Sequence, residues 1–341
     1  MSYIQAKNEI EHGAVQGVYF MYGTQVYLME DLVQSIIKQT AESADDANVI
    51  TYSLEDTPLH IAVEEIETIP FFGGKKIVVI KNFSLVTSQK QEGKVEHDLS
   101  RLENYVEHQS SEAVLILLCP FEKLDERKKI TKFLKKNATV IDCSPLDEEM
   151  TGKWLDARAL EKGFTLTKDG KERLLERVGP KLLMLASELE KLALYVGKDG
   201  IANSEIVDLL VVRSLEQDVF ALIDFAVKGK LDQALIIYHD LLKKKEEPLK
   251  LLALLARQLR IYYQVKELSR RSYSQKQIAS HLKLHPYVVK LASQQVGRFD
   301  EKKLLLLLEQ AADTDYAIKT GKMEKELAVE LLLMRLSTLR Q

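Results

Sequence analysis

The sequence predicts an α/β domain with a mainly parallel sheet, followed by all-helical domains. Three observations carry this. Short apolar runs alternate with helical spacings up to residue 143, and after that almost every apolar pattern has helical spacing. Gly and Pro are scarce, at 15 and 7 in 341 residues, which disfavours a turn-rich β fold. The chain is too long for one core, so domains over 1–143, 144–211 and 212–341 are expected.

Val18–Tyr22 is an apolar run ending at Gly23 and reads as a buried strand. Leu28, Leu32, Val33, Ile36 and Ile37 share one face of a helix. Val49–Leu54 predicts a strand, Leu59–Ile66 a helix, and Lys76–Ile80 a third strand. Leu99–Val106, Ala113–Cys119, Lys128–Leu134 and Thr139–Asp142 continue as helix, strand, helix and strand. Strands are then expected to stop. Ser144-Pro145-Leu146-Asp147 reads as a helix start capped by Ser144. Helices follow over Glu148–Lys162, Asp169–Val178, Lys181–Val196 and Ser204–Leu210. From Ser214 the pattern is wholly helical, with breaks near Gly229, Pro248, Arg271, Pro286 and Gly321.

Composition narrows the function. Apolar residues at 46% and charged residues at 29% fit a folded, soluble protein. The opening MSYIQAKNEIEHG lacks the apolar core of a signal peptide, and no apolar run approaches a membrane span. Cys119 and Cys143 form no C-x-x-C pair, so a reduced cytoplasm is expected. Net charge is −7 over 1–143, −3 over 144–211 and +7 over 212–341, which places any phosphate contact in the last region.

Strand, Gly23 and helix have the order of a phosphate loop, which needs G-x-x-x-x-G-K-[ST]. Here Leu28 replaces the second glycine, Met29 the lysine and Glu30 the hydroxyl residue that holds magnesium. The strand ending at Ile80 runs into Lys81-Asn82 rather than the acids that orient water and metal. A lone glycine turn also suits an α/β domain that never used nucleotide.

The sharpest local feature is Ile66-Glu67-Thr68-Ile69-Pro70-Phe71-Phe72-Gly73-Gly74-Lys75-Lys76. Pro70 ends a helix and Gly73-Gly74 makes a turn, so Phe71 and Phe72 sit on a connector. Adjacent aromatics there suit an interface anchor; the alternative is one ring stapling the loop to the sheet. Lys243 to Arg298 carries 13 basic and 3 acidic residues with tyrosines interleaved, including Arg257, Arg260, Arg270 and Arg271. It reads as a solvated, subunit-packing face or a phosphate-contacting one. Gln277-Ile278-Ala279 to Val288-Val289 has a helix-turn-helix look, and His281 with His285 lacks a third metal ligand.

Taken together, VYFMYGTQVYLMEDLV, IETIPFFGGKKIVVIKNF, AVLILLCPFEKLDERKK, GPKLLMLASELEKLALYVG and QIASHLKLHPYVVKLA resemble the delta subunit of the bacterial DNA polymerase III clamp loader. The resemblance implies an AAA+-like first domain without a working nucleotide site, a helical lid and a helical collar. It implies a clamp-binding wedge at Phe71 and Phe72, flanked by Ile69; the family pair is often Leu-Phe. It also puts Leu182 where active relatives carry the lid arginine of G-D-L-R. The implied partners are the beta sliding clamp, gamma/tau and delta-prime type subunits in a pentamer, and primed DNA, with no membrane and no cofactor. The chain itself is expected to be no enzyme, though part of a DNA polymerase holoenzyme. The competing readings are an ATP-hydrolysing AAA+ loader subunit and a DNA-binding helical protein with a vestigial α/β domain.

Overall fold

The structure is a computed structural model that describes residues 1–40, 48–68, 75–88 and 95–338. It divides into two compact units, Met1–Pro145 and Leu146–Gln341.

The first unit runs α1 (Tyr3–Glu11), β1 (Val18–Tyr22), α2 (Val26–Thr40), β2 (Asn48–Ser53), α3 (Leu59–Glu67), β3 (Lys76–Lys81), α4 (Ser100–Glu107), β4 (Ala113–Cys119), α5 (Lys129–Asn137) and β5 (Thr139–Asp142). The five strands form one sheet in the order β2-β3-β4-β1-β5, with every pair parallel. Parallel strands need crossovers, and the helices supply them while covering both faces. That is why β1, β3 and β4 read as near-continuous apolar runs. Val18, Phe20, Val78, Ile80, Leu115 and Leu117 pack on one face beneath α3, α4 and α5. On the other face α2 lies beside Val79 and Leu118.

The predicted strands at β1, β4 and β5 have the observed bounds. The sequence reading missed α1, whose capping box joins Ser2 and Gln5.

The second unit begins with α6 (Glu148–Glu161), β6 (Thr165–Leu166), α7 (Lys168–Val178), α8 (Leu182–Val196), β7 (Ile201–Ala202) and α9 (Ser204–Leu210). Strands therefore do not stop at Cys143: β6 and β7 form a two-residue parallel ladder. The cap of α6 is Asp147 rather than Ser144, accepting from the Met150 N–H at 2.8 Å. Trp154, Leu174, Leu185 and Leu189 fill the space between these helices. There follow α10 (Leu215–Val227), α11 (Leu231–Lys243), α12 (Pro248–Arg270), α13 (Gln275–Leu282), α14 (Pro286–Val296), α15 (Glu301–Lys319) and α16 (Lys325–Thr338). Their shared core includes Tyr238, Leu255, Leu259, Tyr262, Leu304 and Leu332. The break between α14 and α15, at Gly297–Asp300, is one more than the sequence pattern predicted.

Candidate functional site

In an open parallel sheet, ligands bind beyond the carboxyl ends of the strands, where the order reverses. Here that point lies at β1, between β4 and β5. The turn after β1 is closed by backbone. The Gly23 N–H donates to the Cys119 carbonyl at 3.1 Å, and the Gln25 N–H donates to the Cys143 carbonyl at 3.0 Å. In a phosphate loop such groups point at phosphate instead. Gly23 has φ +131°, and an added Cβ would lie 2.3 Å from the Cys143 carbonyl carbon. Only glycine fits so close an approach.

Leu28 and Met29, at the positions of the loop's second glycine and lysine, are 0% and 1% exposed and belong to the core. Glu30 is exposed. It lines a groove of about 330 Å3 on the sheet face with Val33, Val79, Lys81 and Leu118. Lys81 is exposed, and Asn82 takes φ 57° while its amide donates to the Ser53 hydroxyl at 3.3 Å. Cys119 and Cys143 flank the turn, and burial pushes both thiols up to about 12. Leu182, at the lid arginine's position, is the first residue of α8 and is 3% exposed, so it packs into the helical unit. Among the described residues no group of three His, Cys, Asp or Glu side chains is placed to hold a metal ion.

Ile69, Phe71 and Phe72 lie outside the described residues. The two ends of their connector are described. It leaves α3 at Thr68 and re-enters the sheet at Lys76, the first residue of β3. Lys76 is 3% exposed. Its ammonium donates to the Glu65 carbonyl at 3.0 Å, to Glu65 Oε1 at 2.7 Å and to the Thr68 hydroxyl. The Lys76 hydrogen bond holds the Glu65 carboxyl below its ordinary range. The Glu65 carbonyl ends α3 and also accepts from the Thr68 N–H and hydroxyl at 3.2 and 2.8 Å. On the outside, Arg101 of α4 holds Glu64 and, at 2.7 Å, Glu67.

The sequence reading passed over Lys76. Its signal was strand alternation, which puts Lys76 on the same face as Val78 and Ile80 and beneath α3.

The four basic candidates differ. Arg270 and Arg271 both hold Glu267, at 3.1 and 2.7 Å. Arg257 and Arg260 are exposed on α12 and form no ion pair among the described residues. The stretch with the helix-turn-helix look forms α13 and α14 around Lys283 at φ 52°. Tyr287 and Val289 are buried, and Lys290 pairs with Glu148 of α6 at 2.7 Å. No helix among the described residues is long and apolar enough to cross a membrane.

Comparison with known proteins bears on the whole chain. The family described as "DNA polymerase III, delta subunit" matches residues 19–144, and "DNA polymerase III delta subunit, C-terminal domain" matches residues 216–336. DNA polymerase III subunit delta of Bacillus subtilis (strain 168) is 40% identical over 329 residues, 96% of this chain and 94% of that protein. A probable DNA polymerase III subunit delta of Aquifex aeolicus (strain VF5) is 24% identical over 259 residues, 74% of this chain and 72% of that one. The solved Bacillus subtilis DNA clamp loader delta protein (YqeN) superimposes with a TM-score of 0.83 at 38% identity, covering 98% of this chain and 99% of that one. The chain belongs to the family of DNA polymerase III delta subunits, the delta component of the bacterial clamp loader.

Proposed function

We propose that this chain binds the beta sliding clamp through Phe71 and Phe72, flanked by Ile69, and opens its ring for loading onto primed DNA. It does so without hydrolysing ATP. The observation that carries this reading is the filled turn after β1: Leu28 and Met29 occupy core, and the Gly23 and Gln25 N–H groups are spent on protein carbonyls. A delta-family chain that does not use nucleotide must act through what it grips. Neighbouring gamma/tau and delta-prime type subunits would supply the ATP-driven change of shape. Opening a ring requires that the wedge bind the open clamp better than the closed one.

Within this reading residues 144–211 act as the lid and 212–341 as the collar that joins the pentamer. The assembly works in the cytoplasm, at the replisome. The exposed Arg257 and Arg260 face phosphates of DNA held inside the loader; Arg270 and Arg271, already held by Glu267, contribute less.

Capture of purified clamp without ATP tests the reading. Wild-type chain should retain the clamp. Phe71→Ala/Phe72→Ala should lose most of it while remaining folded, because each anchoring ring is worth about 2–4 kcal/mol. Equal capture by the double variant would remove the wedge assignment.

A further inference from the structure

We propose that Lys76 is a positioning residue for clamp binding, its ammonium fastening both ends of the connector that carries Phe71 and Phe72. The inference rests on the wedge reading above. From the first rung of β3, Lys76 reaches back to the carboxyl end of α3 and bonds Glu65 and Thr68, the last described residue before the connector.

An ammonium has three donors, and here each meets an acceptor: a helix-end carbonyl, a carboxylate and a hydroxyl. The cation also lies at the negative end of the α3 dipole. Stability alone is a poor reason for such a residue. The Lys76 side chain is 4% exposed but that of Glu65 is 30% exposed, so the pair gains little over an apolar side chain: desolvating the ammonium offsets most of the attraction to a half-solvated carboxylate. What an apolar residue cannot do is fix three acceptors around one point. The outer tie from Arg101 to Glu64 and Glu67 is half-exposed and contributes little. The buried tie therefore sets the spacing and direction of the two connector ends. Fixing where the chain leaves α3 and where it enters β3 lowers the ordering cost of binding through Phe71 and Phe72, which raises affinity without adding a contact.

The test is a double-mutant cycle in the full-length chain, read as clamp affinity by surface capture. Lys76→Met keeps the length of the apolar stem and removes only the ammonium; because Glu65 and Thr68 reach water, the thermal midpoint should stay near wild type. Its clamp affinity should fall about tenfold, mostly through faster dissociation. In a Phe72→Ala background, where Phe71 leaves measurable binding, the same substitution should cost about twofold or less, because Lys76 acts through the connector. Equal losses in both backgrounds, or none in either, would overturn the inference. A normal affinity for Phe72→Ala alone would remove the wedge reading, and this inference with it. Weak binding by Phe72→Ala with normal binding by Lys76→Met would remove only the inference. Should Lys76→Met unfold, Thr68→Val deletes one acceptor and leaves the Lys76–Glu65 pair. It should show a smaller loss with the same dependence on Phe72, and a loss independent of Phe72 would overturn the proposal.

Discussion

The two ends of the parallel sheet are built differently. At the carboxyl end, beyond β1, backbone meets backbone: Gly23 lies against Cys143, and Leu28 and Met29 seal the start of α2. At the amino end of β3, a buried ammonium gathers three acceptors at the ends of a connector. The first end is where α/β proteins ordinarily place a phosphate ligand, and here it is spent on packing. The second is a loop root in most such folds, and here it receives a costly buried charge. The difference teaches that the end of a parallel sheet where ligands customarily bind can be given over to core packing, which leaves the proposed clamp contact to a connector rooted at the opposite end.

That contrast can be broken most severely at Met29. Met29→Lys would restore the lysine of a phosphate loop, but at a position 1% exposed. It should cost about 3–5 kcal/mol in urea unfolding, the penalty of an unpaired buried charge. A loss under about 1 kcal/mol would mean that this end has room for a cation. Gly23→Ala should cost about 2–3 kcal/mol, from left-handed strain and from collision with the Cys143 backbone. A near-neutral result there would show that the turn can open.

The smallest effect sharpens the contrast rather than breaking it. Cys119 and Cys143 both lie at the sealed end, buried, with thiols pushed up to about 12. A pKa raised so far leaves almost no thiolate between about pH 7 and pH 9, so neither should react with a thiol reagent in the native state. Both cysteines in the sequence should titrate once the chain is unfolded, and magnesium-ATP should leave the native result unchanged.

Much of this was legible in the sequence, for physical reasons. Apolar strands buried on both faces announce themselves, as Val18–Tyr22 and Ala113–Cys119 do. The departures at Leu28, Met29 and Glu30 could be counted from Gly23, and the structure adds that two of them are core. Short or polar elements were harder. The helix Tyr3–Glu11 has a weak apolar face, and its capping box was the readable clue. Two-residue strands such as Thr165–Leu166 are too short to show a period. Asp147 and Ser144 are equally good caps by type, and only the chain path selects between them. Of the two adjacent lysines, Lys75 is exposed and Lys76 buried. Composition cannot separate them; the pleat of β3 does.

The central claim is that this chain grips the clamp by itself and gains nothing from nucleotide. Isothermal titration of the full-length chain with purified sliding clamp, with and without saturating magnesium-ATP, tests both sheet ends in one experiment. The account predicts binding without nucleotide and the same affinity with it. A clamp affinity that needs ATP, or that shifts about tenfold or more when ATP is added, would contradict it.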